Sequence, residues 1–301
     1  MHQTLLVTLT GLGLLFGTPV AGAQNSLRAP GATLKKLAGD FKFTEGPTCD
    51  AAGNVFFTDQ PNNRILKWSV DGQLSTFKQP AGRANGMCFD GQGNLIACAD
   101  ENNQLWSIAP DGQVTVLVKD YAGKLLCGPN DVWVRPDGGM YFTDPFYPRS
   151  WWKHDRMPQD GQHVYFLSPD RQKVTRVAAD LTQPNGIIGT PDGKNLYVSD
   201  LGARKTYRYD LQPDGQLAKK TLLCFLGSDG MTLDHEGNLY LTGQGVTIFD
   251  PAGRQIEHLE VPEPWTANVC FGGPDKKTLF ITASKCLYAL PMQVKGANPA
   301  K

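Results

Sequence analysis

The amino-acid sequence predicts an all-β protein, a six-bladed β-propeller whose ring is closed by an N-terminal strand. A short pattern of strands recurs six times, and successive repeat starts are 40, 45, 55, 44 and 39 residues apart. A four-stranded propeller blade takes about 40–45 residues. No convincing amphipathic helix follows the first 23 residues. Because one antiparallel sheet cannot bury both of its faces, such repeats stack around an axis.

The first repeat has the strands of one blade in order. An apolar run that begins at Glu45 ends in a turn at residues 50–54. The dipeptide Asp71-Gly72 then separates two later runs, and it suits a tight hairpin because glycine adopts positive φ easily. Three further strands are predicted at residues 55–58, 65–68 and 74–77.

The two ends of the chain are predicted to close the ring. The last repeat ends at Leu290 with only three strands, whereas residues 33–37 precede Glu45 as a fourth strand precedes the other starts. We therefore expect residues 33–37 to complete the last blade of a single propeller over residues 24–301. Its blades start near residues 45, 85, 130, 185, 229 and 268.

Residues 1–23 have the pattern of an export signal. An apolar stretch at residues 5–16 is followed by Ala-Gly-Ala at residues 21–23, a small-x-small cleavage pattern. The stretch is short for a bilayer span, and its start carries His2 but no Lys or Arg. We expect a mature chain from near Gln24 that is periplasmic or secreted. A disordered tail or a membrane anchor is the alternative.

Composition limits the classes of function. The 29 basic and 29 acidic side chains give a formal net charge of zero, which argues against a nucleic-acid footprint. No segment after the signal is long and apolar enough to cross a membrane. The seven cysteines include no close C-x-x-C pair, so we interpret them as buried small apolar residues and expect no zinc site among them. The five histidines show no metal-ligand spacing.

One oxygen-bearing side chain opens each repeat, at Glu45, Asn85, Asn130, Asn185, Asp229 and Asn268. Because the innermost strands of a propeller begin around its channel, these side chains should converge on the axis. Glu45 and Asp229 would bring two carboxylates and Asn130 and Asn185 two amide oxygens, and this set, with no His or Cys, suits Ca²⁺ and less well Mg²⁺ or Mn²⁺. Any single Asn-Gly or Asp-Gly is better explained as a turn. The common register and the unequal side chains favour a ligand set.

An aspartate also follows the second strand of four repeats, at Asp59, Asp100, Asp144 and Asp200. We expect these residues at the far end of a strand from the repeat starts. We therefore interpret them as hydrogen-bond acceptors that cap turns rather than as ligands.

Several runs, taken in order, resemble the gluconolactonase and regucalcin (senescence marker protein) family over about residues 40 to 292. The runs are Glu45-Gly46-Pro47, Gly128-Pro129-Asn130-Asp131-Val132, Tyr141-Phe142-Thr143-Asp144-Pro145, Gln183-Pro184-Asn185-Gly186, Asn195-Leu196-Tyr197-Val198-Ser199-Asp200 and Ser228-Asp229-Gly230-Met231. The resemblance implies a six-bladed propeller that hydrolyses sugar lactones. It also implies one divalent cation in the channel, with the metal-binding positions at Glu45, Asn130, Asn185 and Asp229. Ca²⁺ is the first choice, and Mg²⁺, Mn²⁺ and Zn²⁺ are alternatives.

The chemistry of such a site assigns roles to the other residues. A cation polarises the lactone carbonyl, and Asp229 is the first choice for the general base that activates water. Asp131 is the runner-up, with an outward turn residue as the alternative reading. Substrate-binding candidates, which are equally explained as buried polar groups satisfied by backbone, are Asn85, Asn130, Arg83, Asn268 and Trp265. Animal relatives carry an arginine where this chain has Gly128, so sugar recognition is expected to differ.

The insertion between Asp144 and His163 is rich in aromatic and charged side chains, at Phe146, Tyr147, Arg149, Trp151, Trp152, Lys153, His154, Asp155 and Arg156. Such a loop suits a roof over the channel that stacks on a sugar ring. An aromatic plug against the blade edge is the alternative.

These inferences together predict an exported, metal-dependent hydrolase that opens a sugar lactone to the aldonic acid. One alternative is a related hydrolase of organophosphates or other lactones. Another is a propeller without enzymatic activity that binds a ligand or a protein. The expected partner is a small lactone, with no nucleic acid and no membrane after signal removal. The oligomeric state is left open.

Overall fold

The structure, a computed structural model, describes residues 26–297, which fold into six four-stranded antiparallel sheets. The predicted six-bladed propeller is confirmed. The predicted signal at residues 1–23 lies outside the described residues. Within residues 26–297 the structure has no helix that is long and apolar enough to cross a membrane.

Five blades take their four strands in chain order, from the channel outwards. Blade I consists of β2 (Thr44–Cys49), β3 (Val55–Asp59), β4 (Arg64–Trp68) and β5 (Leu74–Lys78). Blade II consists of β6 (Ala84–Phe89), β7 (Leu95–Ala99), β8 (Gln104–Ile108) and β9 (Val114–Val118). Blade III consists of β10 (Val132–Val134), β11 (Met140–Asp144), β12 (His163–Leu167) and β13 (Val174–Ala178).

The second half of the ring follows the same order. Blade IV consists of β14 (Pro184–Gly189), β15 (Asn195–Asp200), β16 (Lys205–Leu211) and β17 (Leu217–Cys224). Blade V consists of β18 (Met231–Leu233), β19 (Leu239–Gly243), β20 (Gly245–Phe249) and β21 (Gln255–Leu259). Blade VI consists of β22 (Thr266–Gly272), β23 (Thr278–Ala283), β24 (Cys286–Pro291) and β1 (Lys35–Ala38). Short 3₁₀ turns at Gln60–Asn62 and Asp100–Asn102 follow β3 and β7.

The chain termini close the ring as the sequence predicts. Strand β1 pairs antiparallel with β24, with Lys35 opposite Ala289 and Lys36 opposite Tyr288. The innermost strands of successive blades contact one another around the whole ring, and β22 of the last blade meets β2 of the first.

The core lies between blades and follows from side-chain alternation along each strand. On β3, Phe57 packs in a cluster with Phe280 of blade VI, whereas its neighbour Phe56 packs in a cluster with Leu95 of blade II. Successive strand residues point to opposite faces, so a continuous apolar run serves two interfaces at once. The seven cysteines are free thiols and lie buried or half-buried, with Cys98 fully buried against blade III.

Candidate active site

The six repeat starts all lie where the innermost strands begin. Two lie two residues before their strand, Asn130 before β10 and Asp229 before β18. The other four lie within β2, β6, β14 and β22, close to shifts in strand register. The interpretation of Asn-Gly as a turn is therefore wrong for Asn85 and Asn185.

Close approach of neighbouring blades explains why glycine follows most repeat starts. A Cβ atom on Gly186 would lie 2.6 Å from the backbone oxygen of Asp229 in the next blade. A Cβ atom on Gly230 would overlap the side chain of Asn268, and Gly46 meets blade II in the same way. Any larger residue would push the inner strands apart. These glycines therefore set the spacing of the side chains around the channel.

Asp229 is held by hydrogen bonds from two neighbouring blades. Its Oδ1 accepts a hydrogen bond of 2.9 Å from Nδ2 of Asn185, and its Oδ2 accepts one of 2.6 Å from Nε1 of Trp265. The same Nδ2 of Asn185 donates to the hydroxyl of Tyr147 at 2.9 Å. Blades IV, V and VI and the insertion therefore meet at this carboxylate, which is half-buried.

The amide oxygen of Asn185 is buried and has no hydrogen-bond partner among the described residues. An unsatisfied buried acceptor costs about 1–3 kcal/mol, so native structures rarely keep one without a reason. The oxygen belongs to a side chain that contacts the Asp229 carboxylate directly. A hard cation is the kind of ligand that such an oxygen would satisfy.

Glu45 and Asp229 form a pair of mutually repelling carboxyl groups. Glu45 is 3% exposed, and its Oε2 accepts a hydrogen bond from its neighbouring Gly46 N–H at 2.9 Å. Burial raises the pKa of Glu45 well above its usual range, and the charge of Asp229 raises it further. Burial also raises the pKa of Asp229 to about 6, opposed by the hydrogen bonds from Trp265 and Asn185. A divalent cation would relieve this repulsion.

The described residues contain no group of three or more His, Cys, Asp or Glu side chains arranged to hold a metal. The candidate set has only two carboxylates, and its other two members are the amides Asn130 and Asn185. Asn130 is 5% exposed, and its backbone oxygen accepts a hydrogen bond from Gly86 of blade II at 2.7 Å. The chemistry of the set therefore remains that of hard oxygen donors.

Asp131 is buried and faces a neighbouring blade, so its interpretation as an outward turn residue is wrong. Its Oδ1 accepts a hydrogen bond from its neighbour Val132 N–H at 3.0 Å, and its Oδ2 accepts one from Ile187 N–H of blade IV at 3.4 Å. Burial raises the pKa of Asp131 to about 7, against the hydrogen bonds from these backbone groups and from Asn268. Both carboxylate oxygens of Asp131 thus already accept hydrogen bonds from the backbone.

Arg83 is engaged with its own blade and the blade before it. Its guanidinium donates to the backbone oxygen of Pro61 at 2.6 Å, forms a salt bridge of 3.3 Å with Glu101 and lies 4.6 Å from the ring centroid of Trp151. Asn85 and Asn268 are 4% and 6% exposed on the innermost strands. Oδ1 of Asn268 accepts a hydrogen bond from the backbone N–H of the next residue at 2.8 Å.

The aspartates after the second strands lie beside the repeat starts, so the expectation that they lie at the far end is wrong. The strands are antiparallel, and the end of β3 returns to the start of β2, with Asp59 opposite Thr44. Asp144 accepts backbone hydrogen bonds of 2.8 Å from both Cys127 and Gly128. Asp59 and Asp200 accept backbone hydrogen bonds in the same way. They are structural acceptors, as interpreted.

Asp100 is the exception, because it binds the insertion. Its Oδ2 accepts a hydrogen bond of 3.0 Å from Nε1 of Trp151 and lies 3.3 Å from Nε of Arg149. Its backbone oxygen accepts one of 2.7 Å from Nε1 of Trp152. Burial raises the pKa of Asp100 to about 6, against the charge of Arg149. The insertion therefore leaves blade III and is fastened to blade II.

The aromatic side chains of the insertion pack mainly on one another. The ring of Trp152 stacks on Phe146 and His154 at centroid distances of 5.8 and 4.9 Å, and the rings of Phe146 and His154 lie 6.4 Å from each other. A Cβ atom on Gly128 would lie 2.8 Å from the Trp152 ring. A side chain at position 128 would thus displace the insertion, which is a reason for glycine there.

Sequence reasoning missed three contributors to this site: Tyr147, Arg149 and Asp100. The sequence identifies the first two only as members of an aromatic, basic loop, and it places Asp100 among the aspartates that follow second strands. The composition of the insertion is the signal for Tyr147 and Arg149, whereas nothing in the sequence singles out Asp100. The charge of Arg149 lowers the pKa values of Glu45 and Asp229, so its guanidinium lies close enough to act on both.

Comparison with known proteins agrees with this architecture. The chain is 31% identical over 282 residues to a gluconolactonase of Zymomonas mobilis, covering 83% of this chain and 79% of the relative. A solved gluconolactonase structure from Xanthomonas campestris is 30% identical with a TM-score of 0.81, covering 88% of this chain and 91% of that chain.

A calcium-binding regucalcin from Agrobacterium tumefaciens is 22% identical with a TM-score of 0.73, covering 88% of this chain and 95% of that chain, and shares the fold. Residues 43–285 match the family described as the SMP-30/Gluconolactonase/LRE-like region. This match covers most of the chain, as the resemblance in its motifs predicts. The chain belongs to the SMP-30/gluconolactonase/LRE-like family.

Proposed function

We propose that this protein is a lactone hydrolase that opens a sugar lactone of the gluconolactone type to its aldonic acid. The observation that carries the proposal is the half-buried Asp229 carboxylate. It is held by Asn185 and Trp265 and lies beside a second buried carboxyl group, Glu45. Similarity to gluconolactonases and to a lactonase of Staphylococcus aureus supports the reaction class.

We propose that one divalent cation, with Ca²⁺ as first choice, is held by Glu45, Asn130, Asn185 and Asp229. The unpartnered amide oxygen of Asn185 and the repulsion between the two carboxyl groups support this set. When bound, the cation supplies Lewis-acid polarisation of the lactone carbonyl. The likeness to a calcium-binding regucalcin is consistent with this choice of ion.

Asp229 is the proposed general base. A base must be ionised and must be oriented towards the water that it activates. Each carboxylate oxygen of Asp229 accepts one hydrogen bond, from Asn185 or from Trp265. These bonds fix the carboxylate plane and leave one lone pair on each oxygen, so that one oxygen can face the cation and the other a water molecule. Asp131 is the weaker candidate because backbone N–H groups of two blades occupy its oxygens.

The proposed contacts with the sugar hydroxyls come from the remaining repeat starts and the channel mouth. Asn85, Asn130 and Asn268 carry amides that both donate and accept. Trp265 is half-buried and presents an indole ring beside the carboxylate that its N–H binds. Arg83 is paired with Glu101, and its guanidinium lies over the ring of Trp151 in the insertion. These contacts favour a role in holding the insertion over direct contact with substrate.

The test is hydrolysis of D-glucono-1,5-lactone by the purified protein, after subtraction of the spontaneous rate. We expect turnover that a chelator abolishes and that added Ca²⁺ restores. Glu45→Gln should raise the Ca²⁺ concentration needed for half-maximal turnover at least tenfold, because ligand charge sets the affinity of such sites. Turnover that neither the chelator nor this substitution changes would contradict a role for the cation. No turnover of any sugar lactone by metal-loaded protein would favour a binding propeller.

A further inference from the structure

The side chain of Asn185 is oriented by what its amide group contacts. An amide carries two N–H donors and one acceptor oxygen. Its Nδ2 donates to Oδ1 of Asp229 and to the hydroxyl of Tyr147, each at 2.9 Å, while Oδ1 has no partner among the described residues. Rotating the amide by half a turn would point its oxygen at the Asp229 carboxylate. The carboxylate can only accept, so it fixes which way Oδ1 faces, and the Tyr147 hydroxyl, as acceptor of the second N–H, holds the plane of the amide.

Tyr147 reaches Asn185 from the insertion, which is not part of any inner strand. The guanidinium of Arg149 lies 5.5 Å from the centroid of the Tyr147 ring and 5.4 Å from that of Trp151. Arg149 is in turn 3.3 Å from the buried carboxylate of Asp100 on blade II. The Tyr147 ring thus packs against Arg149, and Arg149 is held by Asp100 on blade II.

We propose that Tyr147 is a positioning residue that turns the amide oxygen of Asn185 towards the divalent cation. The proposal rests on the proposed function, since it assumes that a cation binds at Asn185. A hydrogen bond to the outer side of a ligand holds that ligand in its binding orientation, and its loss typically weakens metal affinity 10–100-fold. The insertion therefore contributes to cation binding although it supplies no ligand.

The experiment measures Ca²⁺ binding by calorimetry to protein that has been stripped with chelator, with no lactone present. Tyr147→Phe removes one hydroxyl without changing charge, and we expect the Ca²⁺ dissociation constant to rise about 10–100-fold. The matched control is Tyr207→Phe, which removes a hydroxyl from a half-buried tyrosine on β16 in the third strand of its blade. The control should bind Ca²⁺ as the parent protein does.

A second background separates orientation from general damage. In Asn185→Ala the amide is absent, so no ligand remains for the Tyr147 hydroxyl to orient. Adding Tyr147→Phe to this background should then change the Ca²⁺ dissociation constant by less than about threefold. The difference between this change and the change in the parent is the coupling that a double-mutant cycle measures. The thermal midpoint without Ca²⁺ should be similar for Tyr147→Phe and Tyr207→Phe.

Four results would overturn the proposal. Unchanged Ca²⁺ affinity in Tyr147→Phe would show that the hydroxyl does not orient Asn185. An equal loss in the parent and the Asn185→Ala background would show a merely structural role, and so would a Ca²⁺-free midpoint well below that of the control. A parent protein that binds neither Ca²⁺, Mg²⁺ nor Mn²⁺ would overturn the proposed cation itself, and this inference with it.

Discussion

Replacing Asp229 with asparagine is the perturbation that bears most directly on the proposed chemistry. In the structure both oxygens of this carboxylate accept hydrogen bonds, one from Nδ2 of Asn185 and one from Nε1 of Trp265. An amide offers one acceptor oxygen, and its NH₂ group would face the other donor. One buried donor would thus be left unpaired, at a cost of about 1–3 kcal/mol of stability. The substitution also removes the proposed base, which contributes about 10²–10⁴ to the rate.

Asp131→Asn is the matched control because it carries a similar structural cost. Its two oxygens accept backbone hydrogen bonds from Val132 and Ile187, so an amide there again meets one donor with its NH₂ group. We expect both variants to lose a similar amount of stability. Only Asp229→Asn should lose about 10²–10⁴ in kcat, whereas Asp131→Asn should keep kcat within about tenfold of the parent.

The assay is the initial rate of D-glucono-1,5-lactone hydrolysis at saturating Ca²⁺, together with the thermal midpoint of each variant. Saturating Ca²⁺ separates loss of the base from loss of a ligand. A large loss of kcat in Asp131→Asn, with little loss in Asp229→Asn, would assign the base to Asp131 and refute our reasoning from hydrogen-bond geometry. Equal losses in both variants would show that the effect is structural.

Three further predictions concern pH, blade spacing and the N-terminus. Burial raises the pKa of Asp229 to about 6, and a base must be ionised to act. We therefore expect kcat/KM to fall as the pH drops through about 6, or through a lower value when a cation is bound. A pH profile that is flat down to about pH 4 would contradict this. Gly186→Ala should destabilise the protein by about 1–3 kcal/mol, because its Cβ would meet the next blade. Gly91 faces open space, so the control Gly91→Ala should leave the thermal midpoint unchanged. We propose that the chain is exported, so mass spectrometry of protein from the periplasm or medium should find a mature start near Gln24, and an intact residue 1 in exported protein would contradict cleavage.

The fold could be predicted because local pattern and global architecture agree. The run Val55-Phe56-Phe57 is strand-like in residue type, and its alternate side chains are buried against two different blades. The same pattern returns in every repeat, and its spacing allows only a ring of blades. Closure followed from counting strands, and the pairing of β1 with β24 is confirmed.

The site was only partly predictable. The shared register of Asn185 and Asp229 indicated their convergence, and the structure joins them directly. The expectation that Asp59 lies far from the repeat starts is wrong because β3 runs antiparallel to β2, which brings the end of β3 opposite Thr44. The contact between Asp100 and Arg149 had no signal in the sequence, since the place where a long loop comes to rest depends on tertiary packing rather than on its own composition.

The measurement that tests the central claim most directly is a crystal structure of the protein soaked in Mn²⁺, with the ion located by its anomalous scattering. The account predicts one strong peak in the channel, contacted by side-chain oxygens of Glu45, Asn130, Asn185 and Asp229. A Ca²⁺ soak should place the ion about 2.3–2.6 Å from these oxygens. An ion bound at other residues, or an ordered channel without any ion at saturating concentration, would contradict it.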